Sequence, residues 1–356
     1  MKQLLAFLKG IMTTVTIVSL FILIAASFSD RISPVTMVLP AYLGLFFPFV
    51  LIWNVLLLLG WVFFLKWKQI GMVVVTFAIC WGAISTYFPI HEKTKNVPEN
   101  CIKLMTYNVM SFDWMAKPSP ILKYVRKENP DIVCFQEFAL SDDHRHLTQA
   151  DLTRALKFLP YRHVDTDSRI AIFSKFPIVS TKKIPIKSEV GNGAFITELD
   201  VHGKAVMLVN NHLESNKIAE DEREDFRNMT QDPDAHKLKR FFAQILFNRM
   251  TPAFKWRAKQ VNDISKVIEN TQNPYIVVCG DFNDTPISYT RYKMKGNLID
   301  SFVESGSGIG ITFHQYRFLF RIDYILHSEN IKSYNTSVGK LRNSDHYPLT
   351  TYLQLQ

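Results

Sequence analysis

Asn108, Glu137, the pair Asp281 and Asn283, and the pair Asp345 and His346 fall in four short strings. These read TYN at 106–108, FQE at 135–137, GDFND at 280–284 and SDH at 344–346. Most follow or close an apolar run of β type, such as IVVC at 276–279. Their polar atoms therefore fall at strand ends, where one rim of a sheet can collect them. Carboxylate and amide oxygens are ligands for a hard divalent cation. A cation beside acid–base side chains is what a phosphate ester needs for hydrolysis, because the anion resists attack by water. Glu137 offers the oxygen that magnesium or manganese accepts, and Asn108 and Asp345 can complete the coordination directly or through water. No cluster of Cys and His of the kind zinc favours is present.

Two further positions have the right chemistry. His212 ends the strand AVMLVNN, with Asn210 two positions earlier on the same face. Asp323 lies inside the otherwise apolar RIDYIL, where a carboxylate needs a partner. His346 is the natural one, since a carboxylate that fixes an imidazole tautomer tunes a general base; a salt bridge to an Arg is the alternative. Asp281 and Asn283 project to the same side if extended backbone continues past Gly280, and otherwise form an Asx-type turn.

The elements that must position these residues lie in the last 256 of 356 positions. Strands are expected at 102–109, 131–136, 169–174, 194–200, 205–212, 275–279 and 321–327, with a helix over 120–129 ended by Asn129-Pro130. Residues 214–234 are strongly acidic, and Leu238, Phe241, Phe242, Ile245 and Leu246 after them are spaced for one face of a basic amphipathic helix. That face suits packing on the domain or contact with anionic lipid. Cys80, Cys101, Cys134 and Cys279 have no metal or disulfide spacing and read as core residues.

The first 90 residues are of another kind. Residues 11–28, 32–65 and 69–90 carry no charge, and about 20 apolar residues cross a bilayer core. Spans are expected at about 11–28, 36–65 and 70–89, with 91–100 a linker and 101–356 the catalytic domain. Two alternatives stay open: the first stretch, ending Ala25-Ala26-Ser27, also fits a cleaved signal peptide, and 32–65 is long enough for a kinked helix or a hairpin. In a three-span arrangement Lys2, Lys9, Lys66 and Lys68 fall on one side and Arg31, Lys93 and Lys95 on the other. That balance favours a carboxy-terminal domain outside the cytoplasm, in a bacterial inner membrane. The net charge of +9 divides into +4 for residues 1–100 and +5 beyond. The domain is mildly basic, which suits an anionic substrate without demanding nucleic acid.

Taken in order, TYN, FQE, RIAIFSKFPI (169–178), NNHLES (210–215), GDFND, RIDY and SDH resemble the endonuclease/exonuclease/phosphatase family over residues 101–354. The resemblance implies a four-layered α/β sandwich, two packed mixed β-sheets flanked by helices, here preceded by about three transmembrane helices. It also implies magnesium-dependent phosphoester hydrolysis. Glu137 looks like the principal metal ligand, with Asn108 and Asp345 nearby. His346 looks like the general base oriented by Asp323, Asp281 like the residue that positions or deprotonates water, and Asn283 and His212 like the residues that hold the phosphate. The substrate is expected to be a phosphodiester on a lipid head group or a nucleic acid. The glycine–leucine–arginine run of abasic-site endonucleases is missing after Asn108, and Phe320-Arg321-Ile322-Asp323 matches poorly the tryptophan–cysteine–aspartate–arginine run of inositol 5-phosphatases. A nuclease with the same site, or a membrane-tethered module that binds phosphate without turnover, are the alternatives. Specificity is assigned to loops at 110–120, 139–150 and 214–255.

Overall fold

The computed structural model describes residues 2–114, 119–140, 147–216, 245–315 and 319–356. The acidic stretch beyond Asn216 and the stripe Leu238, Phe241 and Phe242 lie outside them.

Among the described residues, twelve strands form two six-stranded sheets. The first has the order β11 (Ile331–Val338), β12 (Leu349–Leu355), β1 (Ile102–Asn108), β2 (Ile132–Gln136), β4 (Ile170–Ser174), β3 (Tyr161–Asp165). The second runs β5 (Ile178–Ile184), β6 (Ala194–Val201), β7 (Lys204–His212), β8 (Ile276–Asp281), β10 (Asp323–His327), β9 (Ile299–Asp300). Pairs β1–β2 and β7–β8 are parallel and the other pairs antiparallel, so both sheets are mixed.

Side chains alternate faces along a strand, and this divides the core into layers. Leu104, Cys134 and Ile172 of the first sheet meet Leu208, Cys279 and Ile325 of the second between the sheets. Residues of the opposite parity, Met105, Val133 and Phe135, cover the outer face with Ile121, Leu122 and Val125 from helix Pro120–Glu128. On the other side Val209 and Val278 pack against Val261 and Ile264 of helix Thr251–Glu269. The order helix, sheet, sheet, helix is the four-layered sandwich expected.

The strands legible in the sequence are those with apolar runs. Missed were β3, β5, β9, β11 and β12. Tyr161 and Arg162 of β3 are exposed, as is most of VSTKK in β5. An edge strand with one wet face carries little hydrophobic signal.

The amino-terminal region is helical: α1 (Lys2–Ser27), α2 (Leu39–Leu45), α3 (Phe47–Phe63), α4 (Trp67–Ile79) and α5 (Trp81–Tyr87). By length and composition, Phe7–Arg31 alone is apolar and long enough to cross a membrane. The pairs α2–α3, bent by 59°, and α4–α5, bent by 67°, raise the number to as many as three only if each pair counts as one span. The first bend falls where Pro48 begins α3, since proline cannot continue a preceding helix without kinking it. α1 is built into the bundle: Trp61 Nε1 donates to Thr16 Oγ1 at 3.0 Å, and Leu23 and Ala26 are fully buried.

The bundle packs directly on the sandwich. Ile287, from the loop after β8, is buried among Leu23, Ala26, Phe47, Leu51 and Tyr87. Its carbonyl lies so close to Gly44 that a Cβ there would meet it at 2.1 Å. α2 lays Val38, Ala41, Tyr42 and Leu45 against Met250 and Phe254, and Tyr42 Oη and Thr251 Oγ1 share a 2.6 Å hydrogen bond. The 91–100 segment has no helix or strand, but it is stitched down: Thr94 N donates to Asn335 Oδ1 and Asn335 Nδ2 to Thr94 O. Removing residues 1–98 exposes Ile287, Met250 and Phe254, each worth about 1.5–3 kcal/mol of burial. The truncated domain is predicted to melt well below the full chain and to aggregate; thermal unfolding of both forms checks this, and equal midpoints would show the docking to be incidental.

Candidate active site

The inward parity that builds the interlayer core also delivers the polar residues. On β1 the inward series is Ile102, Leu104, Thr106, Asn108; on β7 it is Val206, Leu208, Asn210, His212; on β8 it is Val277, Cys279, Asp281. β10 runs antiparallel to β8 and begins with Asp323 opposite Asp281, while the parallel β7 ends with His212 opposite the same residue. Gly280 makes that register possible: its φ is +135°, and a Cβ would meet Asn211 O at 1.9 Å. No other residue fits there.

Six of the expected residues, Asn108, Glu137, His212, Asp281, Asp323 and His346, converge. Asn108 Nδ2 donates across the interlayer to Asp281 Oδ2 at 3.0 Å and to Glu137 Oε1 at 3.1 Å. His212 Nε2 lies 3.6 Å from Asp281 Oδ2 and 3.8 Å from Glu137 Oε1. His346 and Asp323 are joined by a 2.8 Å hydrogen bond at Nδ1, which turns His346 Nε2 toward Asp281 Oδ2 at 3.6 Å. The Asp323–His346 pairing expected from the sequence is therefore present. Phe313 packs edge-on to the His346 ring at 5.1 Å.

Asn283 reaches the site by another route than extended backbone. Its φ is +53°, its N–H donates to Asp281 Oδ1 at 2.8 Å, and its side chain donates to Leu213 O at 3.0 Å. The strand ends at Asp281 and an Asx turn follows. Asp345 is partly exposed, and its side chain accepts from Ser344 Oγ at 3.3 Å.

Backbone strain gathers at the same rim. Glu137 has φ +50°, and Met110, Ser111 and Phe112, just after Asn108, have φ of +44°, +53° and +56°. Left-handed conformations are costly for such residues and collect at functional sites.

Asn108, His212, Asp281, Asp323 and His346 are all nearly inaccessible, whereas the Glu137 side chain keeps 31% of its exposure. Burial and the neighbouring Asp323 raise the Asp281 carboxyl to about 7, against the opposing pull of His346. Burial works against a charged His346, but Asp323 and Asp281 outweigh it and hold the imidazole well above its ordinary value. Burial keeps His212 low, and the charges of His346 and Arg169 push the same way, so its approaches to the carboxylates join a neutral ring. Glu137 is held below the usual range: burial opposes this, but His212, the Asn108 amide and His346 prevail.

The donor set fits a hard divalent cation. Three carboxylates, of Glu137, Asp281 and Asp323, lie around the two imidazoles of His212 and His346, and His212 Nε2 and Asp323 Oδ1 are buried with no hydrogen-bond partner among the described residues. Buried charge of that density needs compensation. Two places could provide it. Asp281, Asp323 and His346 bring ligand atoms within 4.8 Å of one another, but an ion there competes with the 2.8 Å Asp323–His346 bond. The other is Glu137, whose side chain is the partly exposed one, with the buried Asn108 amide beside it.

Sequence reasoning missed the supports. Gln136 Nε2 donates to Asn210 Oδ1 at 2.7 Å and to Thr106 Oγ1 at 3.0 Å, bracing the sheets beneath the site. Ser344 Oγ donates to Asn108 O at 2.7 Å and accepts from His346 N. Arg257, fully buried, donates from Nε to Asp284 Oδ2 at 3.3 Å and from a terminal nitrogen to Glu214 O, tying the loops after β7 and β8. The inward parity of Gln136 and the seryl start of SDH were the available signals.

If His346 relays the proton, His346→Ala lowers turnover roughly 10²–10⁴-fold; an unchanged rate removes it from the chemistry. Raising pH through about 7 converts Asp281 to the carboxylate. A rate that needs it as proton acceptor climbs with pH below that point and levels above, and a profile flat across this range assigns the proton elsewhere.

The endonuclease/exonuclease/phosphatase family model matches residues 105–346, and a model described as a domain of unknown function matches residues 9–87. Comparison with curated proteins finds no match. Similar solved structures include the human Nocturnin catalytic domain with bound sulfate (18% identity, TM-score 0.49, covering 72% of this chain and 94% of that one). An endonuclease/exonuclease/phosphatase from Beutenbergia cavernae is 17% identical (TM-score 0.48, covering 72% of each chain). A mannosyl-6-phosphatase from Bacteroides thetaiotaomicron is 16% identical (TM-score 0.48, covering 71% and 99%). With the family model running from Met105 in β1 to His346, more than half of the sequence, the chain belongs to the endonuclease/exonuclease/phosphatase family and is a metal-dependent phosphoesterase.

Proposed function

We propose that this protein hydrolyses a phosphodiester at the rim formed by Asn108, Glu137, His212, Asp281, Asp323 and His346, and that its amino-terminal helices hold it in a membrane. The carrying observation is the Asn108 amide, which joins Asp281 on one sheet to Glu137 on the other. Glu137 would hold the cation, magnesium or manganese, with Asn108 and Asp345 completing its surroundings. When bound, the cation supplies positive charge to the phosphoryl oxygens. The remaining work falls to the chain. Asp281 and His346, 3.6 Å apart, would orient a water, one of the two taking its proton, and Asp323 fixes the imidazole tautomer. The neutral His212 and the Asn283 turn face the same space and would donate to the phosphate as charge builds.

Membrane anchoring rests on the uncharged runs and on α1. The balance of Lys2, Lys9, Lys66 and Lys68 against Arg31, Lys93 and Lys95 supports a catalytic domain on the extracytoplasmic face. Residues 1–90, 91–100 and 101–356 then act as anchor, link and hydrolase.

The test is hydrolysis of bis-p-nitrophenyl phosphate by the full chain in detergent with magnesium. Chelation should abolish turnover, and Glu137→Gln should lower it by roughly 10²-fold or more at fixed magnesium. Equal rates in parent and variant would move the cation site, and no turnover on any phosphoester would favour a binding module.

A further inference from the structure

The contacts between bundle and sandwich all fall at one end of the strands, the end that carries the catalytic side chains. The loop that leaves β8 at Asp281 plants Ile287 in the bundle six residues later. The segment that enters β10 at Asp323 first passes Arg321, whose guanidinium is fully buried over the Phe302 ring and donates to Thr86 O of α5 and to Ile309 O. Extended chain advances about 3.3 Å per residue, so the Arg321 backbone stands only about two steps from the residue that orients His346.

The chain between the helix that ends at Ser305 and β10, described at 306–315 and 319–321, connects the two. At its start Gly308 N donates to Pro89 O, just after α5. At its centre Phe313 bridges to the backbone of His346 and packs on its ring. Among the described residues of the catalytic domain, the exposed large aliphatic side chains are Val179, Ile309 and Leu319. Two of these three lie on this loop, beside the bundle. Scattered single residues of that kind need no explanation. Two on the loop that joins helix ends to the catalytic imidazole continue the exposed apolar collar of Ile32, Val35, Met37 and Ile90 at the same end of the bundle.

We infer that this loop rests on the bilayer and that the substrate is a lipid phosphoester, hydrolysed while its apolar part stays in the membrane. The assignment rests on the hydrolase and anchoring readings above. It gives the bundle a task beyond tethering: it fixes the height and tilt of the mouth, so that a head group at the surface reaches Glu137 and His346 without leaving the lipid.

The full chain is reconstituted with magnesium in vesicles of phosphatidylcholine, phosphatidylglycerol, phosphatidylethanolamine and sphingomyelin, and head-group release is compared with turnover of bis-p-nitrophenyl phosphate and a short oligonucleotide. Vesicle lipid should be the preferred substrate. Ile309→Glu and Leu319→Glu, which leave the site residues in place, should lower lipid turnover about tenfold or more with bis-p-nitrophenyl phosphate turnover nearly unchanged. Turnover confined to the soluble esters or the oligonucleotide, and sensitive to Glu137→Gln, overturns the lipid assignment and leaves the hydrolase standing. Equal loss on both substrates in the loop variants also overturns it, since the loop then serves the fold. No turnover of any ester sinks both readings together.

Discussion

A polar group between two packed sheets is tolerable only if another group there answers it. That requirement orders this molecule. Along β1, β7 and β8 the inward side chains change from aliphatic to amide, imidazole and carboxylate as the strands approach one end, and each finds its partner on a neighbouring or opposing strand. Asn108 answers Asp281 and Glu137, Asp323 answers His346, and Gln136 answers Asn210. Among the described catalytic candidates, Asp323 Oδ1 and His212 Nε2 are left unanswered, in the space where a cation and an ester's phosphorus would complete the account.

The legibility of this arrangement followed the strength of the local signal. An aspartate inside RIDYIL demands a partner wherever it lies, so its link to His346 was open to reasoning from composition alone. The fate of Asn283 was not, because GDFND suits continued extension and an Asx turn alike; the left-handed φ at Asn283 decided it. The layer order followed from apolar runs in the central strands. The edge strands β3 and β5 were silent, since their side chains face water and their pairing depends on neighbours distant in sequence.

The docking of the bundle was the least legible feature. An uncharged run looks the same whether its face meets lipid, a sister helix or a loop of another layer. Ile287 sits in TPISYT, a polar stretch without periodicity, and nothing in FRIDY marks Arg321 as buried. Yet its guanidinium is withdrawn from water and spends its hydrogen bonds on two backbone carbonyls. The reason lies in tertiary geometry: α5 ends with unpaired carbonyl groups, as every helix does, and the chain folds an arginine over one of them.

The tie between Arg321 and Thr86 also sets an order of events. A ribosome releases the helices first, and the residue that grips them is made more than two hundred positions later. When β10 is finally synthesised, the helix that carries its anchoring carbonyl has already been made. The last strand to bring an acidic group to the reactive rim is therefore made long after the helix on which its neighbour Arg321 closes.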